Sequence, residues 1–119
     1  MKIAVSASGP TLEAAVDPRF GRAPYLLVVD PDTLEFEAVA NQVNLQAAQG
    51  AGVQTATLAA RYHPAAVLTG HCGPKAFQTL RAAGIPVIVE VSGSVKQAVE
   101  QYRAGKLTPA PGPNATSHW

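Results

Sequence analysis

The residues best suited to chemistry fall in two short runs. Gly70, His71, Cys72, Gly73, Pro74 and Lys75 form a glycine-rich turn that holds the chain's one cysteine. Gly70 and Gly73 permit tight or left-handed backbone, which leaves main-chain N–H groups facing a ligand. Pro74 suits the first position of a helix. Cys72 would then lie just before a helix N-terminus, where the partial positive charge attracts anions and lowers a thiol's pKa. A thiolate flanked by exposed N–H groups suits an anionic metal or sulfur species, so Cys72 and His71 are the candidate metal ligands. Two plainer readings stand beside this one: an incidental cysteine at a helix start, and an imidazole that is exposed or hydrogen-bonded for structural reasons. The second run, VDPRFGRAPY at residues 16–25, sets Arg19 and Arg22 around Phe20-Gly21. Arginine suits planar, multidentate contact with oxyanions and could serve sulfide-bearing anions as well. Alternatively, Asp17 pairs with one arginine and fixes the loop, while Phe20 anchors it to the core.

Composition bounds what these runs can serve. At 119 residues the chain fits one domain with an ordinary core. Its 47% hydrophobic and 14% charged content favours a globular fold over disorder. A net charge of +1 provides no global field for nucleic acid or a membrane surface, so attraction for an anion must be local. One cysteine excludes an internal disulfide and suits a reducing compartment. The opening MKIAVSASG reads as a strand rather than a secretory signal, and no stretch approaches the roughly 20 apolar residues of a membrane helix. A cytoplasmic protein is the expectation. Phosphate-loop, HExxH and paired CxxC motifs are absent. The first strand carries no acid, which argues against a two-metal nuclease.

The elements that must position the two runs can be read in order. MKIAVS (1–6) is a buried strand followed by a long loop. YLLVVD (25–30), the turn PDT (31–33) and LEFEAVA (34–40) form a hairpin, with Glu35 and Glu37 on its solvated face. Residues 47–62 form an alanine-rich helix, AAVLT (65–69) a short strand, and KAFQTLRAA (75–83) a helix closed by Gly84. IPVIVEV (85–91) is a strand, and Ser94 caps a last helix that stops at Gly105. This order predicts an α/β fold with a mixed five-stranded sheet, a β-hairpin edge and helices on both faces. Ligands in such sheets bind at the carboxyl ends of the parallel strands. Residues 1–105 make one domain, and the Pro-rich tail 106–119 is expected to be flexible or loosely placed. His63 and Cys72 flank the same strand and should lie at opposite ends of the sheet; His118 sits in the tail.

DPRFGRAPYLLVVD, the NQ after the third strand, and the strand-G-x-x-GPKAF-x-x-L-x-x-AGI-x-V arrangement resemble the dinitrogenase iron–molybdenum cofactor biosynthesis family over roughly residues 1–105. The resemblance implies a three-layer ribonuclease H-like fold without ribonuclease activity. It also implies a carrier or assembly protein, not an enzyme, for an anionic molybdenum–copper sulfide cluster or a related iron–molybdenum–sulfur precursor. The family's arginine loop falls on Arg19, Phe20, Gly21 and Arg22, and its glycine turn on Gly70, Gly73, Pro74 and Lys75. Cysteine is not a fixed feature of that turn, so a ligand role for Cys72 rests on its position. Protein-ligated iron–sulfur clusters take about four thiolates. With one, a cluster must be held mainly by electrostatics and N–H groups or be shared between chains. The expected partners are the cluster itself and MinD-like ATPases in a complex, the protein being a monomer or weak dimer. The alternative function is an adaptor or regulatory module with ATPases, metal being incidental. A thiol enzyme pairing Cys72 with His71 is disfavoured because adjacent residues rarely present their side chains to each other.

Overall fold

The computed structural model describes residues 1–41 and 50–115. Expectations on Gln42, on residues 47–49 at the start of the alanine-rich helix, and on His118 lie outside the described residues. Strand β1 (Ile3–Ala7) is buried along its whole length and forms the centre of the sheet. It pairs antiparallel with β2 (Tyr25–Val29), which pairs antiparallel with β3 (Phe36–Ala40). On its other side lie β4 (Val67–Leu68) and then β5 (Val87–Ile88), both parallel. The order β3-β2-β1-β4-β5 is the mixed five-stranded sheet with a hairpin edge that the sequence predicts.

Alternation along β1 decides which helix covers which face. Ile3, Val5 and Ala7 join Leu27, Leu68 and the Val95, Ala98 and Val99 stripe of helix α3 (Val95–Arg103) in one core cluster. Ala4 faces the opposite way, with Leu26 and Val67, towards Ala56 and Ala59 of α1 (Ala51–Ala60) and Phe77 and Leu80 of α2 (Pro74–Ala82). Burying a side chain of this size stabilises the fold by about 1.5–3 kcal/mol, so both layers are held by their apolar stripes. The predicted caps form. Ser94 Oγ accepts from the Gln97 N–H, and the Gln97 side chain accepts from the Ser94 N–H, a complete capping box. Helices α2 and α3 end at Gly84 and Gly105 as expected.

Two expectations are corrected. The hairpin turn runs through Glu35, because Asp30 Oδ1 accepts from the N–H groups of Asp32 (2.9 Å) and Thr33 (3.3 Å) and Leu34 takes a left-handed φ of 64°. The third strand therefore starts at Phe36, not Leu34. The strand predicted over 85–91 is regular only at Val87–Ile88, because Glu90 has φ 61° and its N–H turns to Gly70 O (2.7 Å). The described part of the tail, residues 106–115, lies against the sheet and α2. The Ala110 N–H donates to Val87 O (2.8 Å), Arg81 Nη1 to Pro111 O (3.4 Å), and Leu107 and Ala110 pack on the two core clusters. It thereby covers the β5 edge of the sheet, which would otherwise leave backbone groups unpaired.

The NQ motif also has a structural account at Asn41. Its buried Nδ2 donates to Ala23 O (2.8 Å) and Thr55 Oγ1 (3.0 Å), tying the end of the arginine loop to α1. Gly21 belongs to the same junction: a Cβ there would lie 2.8 Å from Gly52 N, so the loop presses directly on the α1 backbone. No helix among the described residues is long and apolar enough to cross a membrane.

Candidate site at the junction of the arginine loop and the glycine turn

The arginine loop is fixed from below by the ends of the central strands. Ser6 Oγ donates to Asp17 O (2.9 Å) and lies 2.8 Å from Thr69 Oγ1, while the Asp17 N–H donates to Ser6 O (2.9 Å). The buried Asp17 carboxylate accepts the backbone N–H of Arg19 at 2.9 Å, an Asx turn that starts the short 3-10 segment Phe20–Arg22. Phe20 is the anchor: its ring is fully buried among Cys72, Phe77 and Leu80. Arg19 remains exposed, and Arg22, closing the segment, is half-buried.

The two runs, about 50 residues apart in sequence, are stitched by main-chain hydrogen bonds. The His71 N–H donates to Pro18 O (2.7 Å) and the Phe20 N–H donates to His71 O (3.1 Å), so Arg19 and His71 form a parallel β-bridge. Such proximity requires a glycine. A Cβ on Gly70 would lie 2.6 Å from Pro18 Cα and 2.8 Å from Pro18 O. Arg19, Gly70 and His71 are thus brought together at the carboxyl ends of β1 and β4, where the sequence predicts a ligand to bind. Gly73 follows as the N-cap of α2, and Lys75 is exposed on its first turn. His63 precedes β4 and is at the opposite end, as expected.

Two parts of the expected chemistry are corrected. Cys72 shares the turn's backbone but not its surface: its side chain is completely buried in the α1/α2 core cluster, with Sγ 3.7 Å from Gly73 O. Burial pushes the thiol up to about 12. Desolvation outweighs the helix N-terminus, and Cys72 is a neutral packing residue rather than a surface thiolate. Two of the turn's amides are also taken. The His71 N–H is taken by Pro18 O and the Cys72 N–H by Asn114 Oδ1 at 2.8 Å. Among the described residues, no three His, Cys, Asp or Glu side chains come together in a metal-binding group. Among the described residues, the basic side chains on and beside the turn are Arg19, His71 and Lys75.

Sequence reasoning missed Asn114. It bonds Gly70, His71 and Cys72 across 42–44 residues of chain, and only a fold places it there. A separate groove of about 410 Å³ lies between β3 and α1, lined by Ala40, Val53, Gln54, Thr57, Leu58 and Arg61.

Solved structures share this fold. The apo form of the orange protein from Desulfovibrio gigas matches with 44% identity over 96% of each chain and a TM-score of 0.92. A Thermotoga protein provisionally named NifB, of the DUF35 family, matches with 28% identity over 91% of each chain and a TM-score of 0.77. A protein of Methanocaldococcus jannaschii, provisionally described as a dinitrogenase, shares the fold at a TM-score of 0.71, with 12% identity over 95% of this chain and 97% of its own. No curated protein matches the sequence. The family model described as "Dinitrogenase iron-molybdenum cofactor" matches residues 1–105, which span both stitched runs and every regular element. The chain belongs to the dinitrogenase iron-molybdenum cofactor family, the one its DPRFGR and GPKAF motifs resemble.

Proposed function

We propose that the protein binds, and carries or assembles, an anionic metal–sulfur cluster at the surface formed by Arg19, His71 and Lys75, with Gly70 and Gly73 shaping the turn beneath. A molybdenum–copper sulfide cluster is the proposed cargo. The single observation that carries this reading is the Arg19–His71 bridge, which fuses the family's two motifs into one cationic and hydrogen-bonding edge. Family membership supports a cofactor-related role. Because Cys72 Sγ is turned into the core, the cluster is retained by charge and hydrogen bonding, and its copper is held by its own sulfides, which suit soft Cu(I).

The test is retention. Protein incubated with tetrathiomolybdate and Cu(I) is desalted, and molybdenum and copper per chain are measured. Arg19→Glu should weaken retention about tenfold, because it reverses a charge beside a multiply charged anion. Cys72→Ala should retain as much metal as the wild type. The proposal fails if the Arg19→Glu and His71→Ala proteins retain wild-type amounts, or if a folded Cys72→Ala protein loses the cluster.

A further inference from the structure

Asn114 makes four contacts with three consecutive residues of the glycine turn. Its N–H donates to Cys72 O (3.2 Å), its Oδ1 accepts from the Cys72 N–H (2.8 Å), and its Nδ2 donates to Gly70 O (3.0 Å) and lies 3.2 Å from His71 Nδ1. The orientation of the amide follows from backbone chemistry. The Cys72 N–H can only donate and the Gly70 carbonyl can only accept, so Oδ1 must face the first and the NH2 group the second. A flipped amide would set N–H against N–H and oxygen against oxygen. The NH2 group carries two hydrogens; one serves Gly70 O and the other points at His71 Nδ1. That nitrogen must then present its lone pair, which leaves the ring proton of the neutral imidazole on Nε2.

We infer that Asn114 is a positioning residue: it holds His71 as the Nε2–H tautomer, so that whatever meets Nε2, a bound anion included, finds an N–H donor and not a metal-ligating lone pair. The consequence for the cluster rests on the proposed function; the tautomer does not. The docked tail is therefore part of the site's chemistry. It satisfies the turn's main chain and sets what its imidazole can offer. Asn114→Asp inverts the arrangement. One carboxylate oxygen can still accept from the Cys72 N–H, but the other has no hydrogen to give His71, which must carry a proton on Nδ1 to bond it.

The experiment is long-range 1H–15N correlation on the imidazoles of the full chain with His71 neutral, assigned through His71→Gln. Wild type should show His71 Nδ1 unprotonated and Nε2 protonated; Asn114→Asp should show Nδ1 protonated. Asn114→Ala should give a mixture of the two tautomers. A protonated Nδ1 in the wild type overturns the inference, as does an unchanged tautomer in a folded Asn114→Asp protein. Should that variant not fold, the wild-type spectrum alone decides. Retention of the tetrathiomolybdate–Cu(I) product separates the two claims. Loss of the Nε2–H donor should weaken it about tenfold, the scale of one hydrogen bond to a charged group. Wild-type protein that shows the expected tautomer yet retains no metal leaves Asn114's role standing and ends the cluster reading. Retention that is unaffected by a proven tautomer change removes His71 Nε2–H from the binding surface.

Discussion

Replacing Gly70 with alanine should cost about 3 kcal/mol and lower the melting temperature by about 10 °C. The added Cβ would meet Pro18 Cα at 2.6 Å and Pro18 O at 2.8 Å, both backbone atoms that cannot swing aside. The two runs would have to part, and the 2.7 Å bond from the His71 N–H to Pro18 O would lengthen. Stability and the binding edge should therefore fail together. Gly112 is the control, since a Cβ there meets nothing within 4 Å; alanine at that position should change stability by no more than about 0.5 kcal/mol. Thermal unfolding followed by circular dichroism checks both. A Gly70→Ala protein as stable as the Gly112→Ala control would contradict the close approach on which the site is built.

The second large effect is alkaline. Cys72 stays protonated in the folded protein up to about 12, whereas a solvated thiol ionises near 9.0. Between these values the unfolded chain has lost the proton and the folded chain has kept it, so stability must fall as pH rises through the window. Three units correspond to about 4 kcal/mol, with the loss starting near pH 9 and complete near pH 12. Lysines and tyrosines titrate in the same range, so the measurement is the difference between wild type and Cys72→Ala in urea unfolding across that span. The difference should shift steadily in favour of the alanine variant. Parallel curves would mean that the thiol is solvated and able to ionise. The same burial should make Cys72 react with iodoacetamide far more slowly in the native protein than in urea.

Much of the architecture was legible because it depends on local pattern. The apolar run of the first strand, the Ser94 cap and the glycines at the ends of α2 and α3 are signals within a few residues, and each is realised. The arginine loop and the glycine turn were legible as special segments, since proline, glycine and arginine at those spacings demand an explanation. Their stitching through Pro18, Phe20 and His71 was not, because β-bridge partners some 50 residues apart leave no periodic trace. Cys72 misled for a physical reason. A residue before a helix can point outward to solvent or inward under the helix, and only the packing of Phe20 and Phe77 decides between them. Asn114 was invisible for the converse reason: a Pro-rich tail reads as loose, yet one asparagine can satisfy the backbone of a turn as a neighbouring strand would.

The most direct test is to titrate 15N-labelled protein with the cluster made from tetrathiomolybdate and Cu(I) and to follow the backbone amides. The account predicts that the largest shifts cluster at Arg19, Phe20, His71, Cys72 and Lys75, with Asn114 moving alongside them. Largest shifts at Val53, Gln54, Thr57 and Leu58, along the groove between β3 and α1, would place the guest elsewhere and contradict it.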